Sequence, residues 1–594
     1  MDFMAGCNVH LTNGYIKFIG TTNSNLRVYE PIDFFNLNSK KTSPAALYVS
    51  AMSTQDFTVN GTFSIETGSA FNHPSSHTMN IKGFFNNNGG TYTLNAGTVR
   101  LIGTTTQYLY DSSSTSYFNN LTIATSNSAQ VPVQNNLQIH GNFTIDSGDI
   151  YKMNNANVFT IGGNWTNNTA SPTFGSGSGR VILNGTGDQV CTAQTSEIFD
   201  YLELNKPSGV MVVPSGNYIN CYHLDWTAGG YRVDGGHFWV GDIVDAGIFG
   251  NITLNSGEVN IYQETSSRID FRANLTIHDG IFNVHGGLSP CYFAYFENAT
   301  LTMDGGLLDF QDVGVILATT YAFNDNISGG TIATTHEFDN ERTDFNPTGG
   351  TIKLYGTADA IVKNTAGSNF PTLMIYKGAR DAQEDGGDPA LRSSRENLTR
   401  TNMVTGQGTI DINGSFCLYG GSFTAPATMQ VAGGWINLMG PSAFVEGTGT
   451  VEINGTGDQY CNYSETFYTL YINKSGGTFK INSSSATVTC SYYTFGAGGV
   501  EATVGTFTAN DLTQNGIYGN FTARPGGTIN LTQDASSWID IDGYLYNYGG
   551  NINIYGGSLP SDWAYAANGG IIMNGGTIDF KNRGVRMPAT SYTL

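Results

Sequence analysis

Seven cysteines are spread through the 594 residues, and four of them fall into two matching pairs. Cys191 and Cys221 are 30 positions apart, Cys461 and Cys490 are 29 apart, and both pairs occupy equivalent places in two copies of one long block. On a coil of roughly twenty to thirty residues, positions at this separation stack on neighbouring coils, within disulfide reach where the side chains point alike. Bridges Cys191–Cys221 and Cys461–Cys490 are therefore expected, the alternative being pairs of buried thiols. Cys7, Cys291 and Cys417 stand outside this scheme, and Cys291 is replaced by Ser561 in the other block. The absence of a Cys-x-x-Cys pair argues against a zinc ribbon.

Acidic side chains offer a second chemistry. Asp270 with Asp279, and Asp540 with Asp542, have the character of the carboxylate pair of a polysaccharide-degrading enzyme. A catalytic pair occurs once, however, whereas Asp270 recurs as Asp540 and Asp309 as Asp579. The repeat copies its carboxylates, so no catalytic residue is assigned and an enzyme is not expected. The nine histidines are scattered with no HExxH spacing, and neither a G-x-S-x-G elbow nor a phosphate loop is present. No cofactor or metal site is expected. Weak calcium binding is the one ion chemistry that turn carboxylates such as Asp188, Asp304, Asp309 and Asp458 would suit, but the regular G-G-x-G-x-D array is missing and solvated turns are the plainer reading.

Charge is sparse elsewhere and dense in one segment. Residues 377–400 crowd Arg380, Asp381, Glu384, Asp385, Asp388, Arg392 and Arg395 into a stretch that lengthens the local repeat, which reads as an inserted loop and a candidate binding loop. Across the chain 47 Asp and Glu stand against 26 Lys and Arg, a net charge of −21. Nucleic acid is excluded as a partner by the lack of a cationic stripe. No run is long and apolar enough to span a membrane.

These residues hang on a repeated phrase. Gly-Thr steps at Gly20, Gly103, Gly185, Gly356 and Gly455 each follow alternating apolar residues and precede a Phe-x-x-Leu step, at Phe34, Phe118, Phe199, Phe370 and Phe467. A longer period is nested above it: the run from Asn184 to Cys191 returns at Asn454 to Cys461, 270 positions on. We divide the chain into N-terminal repeats 1–139, a first long block 140–412 holding the inserted segment, and a second block 413–594 that copies 140–324. The second block ends without a capping segment, so the chain is expected to be part of a longer array.

Period-two alternation, as in Gly349 to Tyr355, and frequent Asn-Gly, Gly-Gly and Asp-Gly steps predict strands and turns, with no amphipathic helix. The predicted fold is all-β, a right-handed parallel β-solenoid of some two dozen coils rising about 4.8 Å each. Its runner-up is a tandem of β-sandwich modules of about eighty-five residues. Asn-x-Ser/Thr sequons at Asn60, Asn142, Asn164, Asn274, Asn397 and Asn520 sit where turns favour Asn in any case.

The wording Gly-Arg-Val-Ile-Leu-Asn184-Gly-Thr-Gly-Asp-Gln, with Phe199-x-x-Leu-x-Leu-Asn-Lys206 and its counterpart from Gly449 to Gly477, resembles large β-strand-repeat surface proteins and adhesins of Bacteroidota and other environmental prokaryotes. Ser39 departs from the pattern, standing where the first repeat should have an aliphatic residue. The resemblance implies a secreted, cell-surface, extracellular protein with a structural or adhesive role, partnered by surface glycans or by itself. A self-assembling filament or matrix subunit and a solenoid carbohydrate-active enzyme are the competing expectations.

Overall fold

The computed structural model describes residues 2–3, 12–73, 76–93, 96–126, 129–152, 157–170, 179–244, 247–264, 266, 268–286, 293–378, 402–514, 516–534, 538–556, 563–566, 568–581 and 583–586. Short strands follow one another with no α-helix among the described residues, and they pair in parallel with strands of neighbouring turns. The result is a parallel β-solenoid of about 23 turns. The sandwich alternative fails on this point, because sandwiches are built from antiparallel pairs.

A coil takes its shape from three short strands separated by turns. In the N-terminal part Ile32–Phe34, Asn36–Lys41 and Ala46–Val49 form one coil; Phe57–Val59, Phe63–Glu66 and Ala70–Asn72 form the next. Each strand stacks on its equivalent, with Ile32 over Phe57, Leu37 over Phe63 and Ala46 over Ala70. Inward positions thereby line up in continuous ladders. One runs Phe57, Met79, Val99, Leu121, Phe143, Trp165, Cys191, every member buried. Alternation in sequence becomes alternation in space: the apolar residue of each pair enters the interior and its polar neighbour faces water. Ser39 is the exception, and the structure accounts for it. Its buried hydroxyl pairs with Ser69 Oγ at 2.7 Å, so a polar rung replaces an aliphatic one.

Packing divides the chain into two compact units, Met1–Cys291 and Tyr292–Leu594. The second is built in the same way: Ala299–Met303 pairs with Phe323–Ile327, Leu307–Phe310 with Thr331–Thr334 and Gly314–Leu317 with Phe338–Asn340.

Turns are tied to one another by side chains. Asn120 Oδ1 accepts the Asn142 amide at 2.8 Å, Asn142 Oδ1 accepts that of Asn164 at 2.9 Å, and Asn164 Oδ1 accepts that of Val190 at 2.9 Å. Asp188 does the same for Val210 and Asp458 for Thr478. Corner Asn and Asp thus satisfy backbone donors that the bend would otherwise leave open.

Candidate functional site: buried polar clusters and the fate of the candidate residues

The cysteine scheme is corrected by the coil length. Cys191, Cys221, Cys461 and Cys490 are all buried free thiols, as is Cys417. A coil is close to 22 residues here, so a separation of about 30 carries the chain one coil up and onto another strand. Cys191 belongs to the ladder of Trp165, whereas Cys221 lies between Phe199 and Val240. The second block repeats this arrangement, with Cys461 between Trp435 and Ile481 and Cys490 between Phe467 and Ala509. Burial pushes the Cys191 thiol up to about 12, with Glu197 adding to the effect, and raises the other three further.

Asp270 and Asp279 have separate partners. Asp270 is buried, and its Oδ2 accepts Nη2 of both Arg268 and Arg272 at 3.0 Å. Asp279 is exposed and accepts its neighbour's amide, Gly280 N, at 2.7 Å. In the second block Arg272 is replaced by Asp542, and burial together with that neighbouring charge raises Asp540. Asp309 accepts the Tyr355 hydroxyl at 2.8 Å, while Asp579 pairs with Lys581 at 2.5 Å. Asp188 meets Arg232 at 3.0 Å, Asp458 meets Lys480 at 2.7 Å, and Asp304 is exposed at a turn. Among the described residues no group of three or more His, Cys, Asp and Glu converges as a metal site would require. Among the same residues no helix is long and apolar enough to cross a membrane. The candidate binding loop, with Arg380, Asp381, Glu384, Asp385, Asp388, Arg392 and Arg395, lies outside the described residues.

What the recurring wording encodes is a buried plug of polar side chains. Gln189, four positions after Gly185, folds back so that its Oε1 accepts Gly185 N at 2.8 Å while its Nε2 donates to Ile161 O at 2.9 Å and Gly163 O at 2.5 Å. Lys206, seven positions after Phe199, reaches into the same turn and donates to Gly185 O at 2.9 Å, Gly187 O at 2.9 Å and Gln189 Oε1 at 2.6 Å. Three acceptors match the three protons of an ammonium. Gly185 has to be glycine for steric reasons, since a Cβ there would lie 2.1 Å from Gly162 O and 2.9 Å from Gln189 Cδ.

Gln459 and Lys474 rebuild the plug in the second block, with Gln459 Nε2 donating to Val431 O at 2.8 Å and Lys474 Nζ to Gly455 O at 3.0 Å. Gln107 makes the same bonds to Gly103 N and to Ile81 O and Gly83 O, but the lysine position holds Thr125. Lys41 and Lys377 follow their own Phe residues by the same seven positions and likewise donate to backbone carbonyls. Burial depresses Lys206, Lys377 and Lys474 to about 8.

A second cluster surrounds a buried carboxylate. Glu197 Oε2 accepts Trp165 Nε1 and Asn167 Nδ2, each at 2.9 Å, and Glu465 Oε2 accepts Trp435 Nε1 at 2.7 Å and Asn437 Nδ2 at 2.9 Å. Burial pushes Glu465 up to about 7 against the stabilising effect of these donors. Neither cluster was recognised from sequence, although a signal existed: glutamine four after the glycine, and lysine seven after the phenylalanine, recur at fixed spacing.

No family model matches the chain, and no curated protein or solved structure matches it.

Proposed function

We propose that this protein is an extracellular structural or adhesive element of a cell surface, a β-solenoid that presents its outer walls to surface glycans. One observation carries the reading: the polar chemistry of the interior is duplicated and engaged in bonds within and between coils. Glu197 with Trp165 and Asn167 reappears as Glu465 with Trp435 and Asn437, and the Gln–Lys plug reappears with it. Groups used in this way hold coils together and leave the exterior as the surface on which partners are met.

The test is adhesion. Beads coated with the purified protein should be retained on cells and on glycan-coated surfaces under flow, above beads coated with an unrelated acidic protein. Equal retention of the two would reject the adhesive reading. Growth into fibres on concentration, seen by electron microscopy, would favour the filament subunit instead, and release of reducing ends from polysaccharide would favour the enzyme.

A further inference from the structure

One wall of the first unit carries an outer face that the second block lacks. Strands Tyr218–Ala228, Gly230–Ile243, Gly247–Gln263 and Ile281–Gly286 lie side by side, in the registers Tyr218↔His237↔Glu258 and Asn220↔Trp239↔Asn260↔Asn283, with Tyr262 beside His285. Ile219, Cys221, Phe238 and Val240 fill the interior between these positions, so the intervening side chains face outward. Tyr218 and Tyr222 are 46% and 48% exposed.

Trp239 lies down on this wall. A Cβ placed on Gly241 would be 2.7 Å from Trp239 Cη2 and 3.0 Å from Cζ3, so the indole reaches over Gly241, and Trp239 remains partly exposed. Tyr222 is perpendicular to the indole, with centroids 6.1 Å apart at 89°, and Tyr262 lies 5.7 Å away from it at 50°. Amide and carboxylate groups border the ring. Asn283 donates to Asn260 Oδ1 at 2.9 Å, Asn260 donates to Glu258 Oε1 at 2.9 Å, and His237 Nδ1 stands 3.2 Å from Glu258 Oε2.

The fold does not need these residues. Cys221↔Val240 in the first block corresponds to Cys490↔Ala509 in the second, and the inward ladder is preserved. At the outward positions of the second block, Trp239 is replaced by Thr508, Gly241 by Asn510, His237 by Thr506, Tyr222 by Ser491, Glu258 by Thr528 and Tyr262 by Thr532. The indole and the glycine it reaches over are lost together with the aromatic and charged side chains around them.

We propose that this face binds an uncharged polysaccharide, laid across the strands with a pyranose ring on Trp239 and its hydroxyls bonded to the amides and carboxylate at the border. The proposal deepens the adhesive reading and rests on it. A flat indole suits the C–H face of a sugar, and oriented amides suit hydroxyls that both donate and accept. Glu258 on the face and the net charge of −21 oppose polyanions. Interleaved Asn, His and Glu break the apolar surface that a protein partner would cover.

The probes are microcrystalline cellulose, chitin and insoluble mannan, with heparin and polygalacturonate as soluble competitors. At least one of the three solids should deplete the protein from solution, W239A should bind it about tenfold more weakly, and neither polyanion should compete. G241V, which keeps the indole but lifts it off the wall, should weaken binding too, while T508A should not. Should W239A fold poorly, Y222A/Y262A serves in its place. The platform is overturned by W239A or Y222A/Y262A binding like the parent, by competition from either polyanion, or by no depletion on all three solids. Retention of coated beads on cells, unchanged by W239A, would keep adhesion while removing this face as its cause.

Discussion

Lys206 Nζ donates to Gln189 Oε1 at 2.6 Å, both side chains being almost wholly withdrawn from water. The bond closes the Gly-Thr turn from inside. Gly185 O and Gly187 O share the same ammonium, so one side chain serves three acceptors, of which Gln189 Oε1 also holds the Gly185 amide.

Replacing that side chain by one of similar length without protons isolates its role. K206M should lower stability by about 1–3 kcal/mol, the scale of a buried acceptor left without a donor. Urea unfolding checks this. A midpoint equal to the parent's would mean that water supplies the missing donors.

Stability should depend on pH in two windows of opposite slope. Glu465 titrates near 7 when folded and near 4.5 when free, so between these values the folded state holds a proton that the unfolded chain has released, and stability falls as pH rises. Lys206, Lys377 and Lys474 titrate near 8 when folded against 10.5 when free. Across that interval the unfolded chain binds more protons, and stability rises with pH. Melting temperatures of the parent, E465Q and K206M/K474M from pH 4 to 11 test both arms: E465Q should flatten the acid slope and the lysine double variant the alkaline one. Unaltered slopes would refute these assignments.

The thiols should be silent until the protein opens. A colorimetric disulfide reagent should leave Cys191, Cys221, Cys461 and Cys490 unmodified in the folded state and react with all four after denaturation. A non-reducing peptide map should contain neither linked pair. Recovery of a Cys191–Cys221 peptide would contradict the ladder assignment.

Removing residues 381–399 in favour of a short Gly-Ser link should leave the melting temperature unchanged. The strands on either side, Leu373–Lys377 and Met403–Ile412, keep their partners in Thr351–Gly356 and Ala360–Asn364, and a shorter connection costs less to close. Polysaccharide retention should also be unchanged, since Trp239 and its surroundings are untouched. A lower melting temperature would show that the segment supports the wall.

Strand character and parallel stacking were legible because both depend on local periodicity. Val181, Leu183 and their relatives alternate with polar residues, and the self-similar phrases leave stacking as the natural arrangement. Ladder membership was not legible, because it depends on the summed length of every turn in a coil. Counting 30 residues from Cys191 gave the wrong wall for Cys221 even though both residues point inward. Trp239 was half visible: its place between Phe238 and Val240 marks it as outward, but its reach over Gly241 is a close approach that the sequence does not display. Ser39 read as a flaw because its partner Ser69 is 30 positions away on the next coil.

The relay from Asn120 through Asn142 and Asn164 lets each of these coils fasten its successor. A gene segment covering whole coils of this kind can be duplicated in place, because a seam between two such coils possesses its acceptor and donor. The 270-residue recurrence has the form such an event leaves behind. Length in this architecture is accordingly a heritable quantity that can change in a single step without redesign of the interior, whereas the loss of part of a coil displaces every later residue from its ladder and is selected against at once.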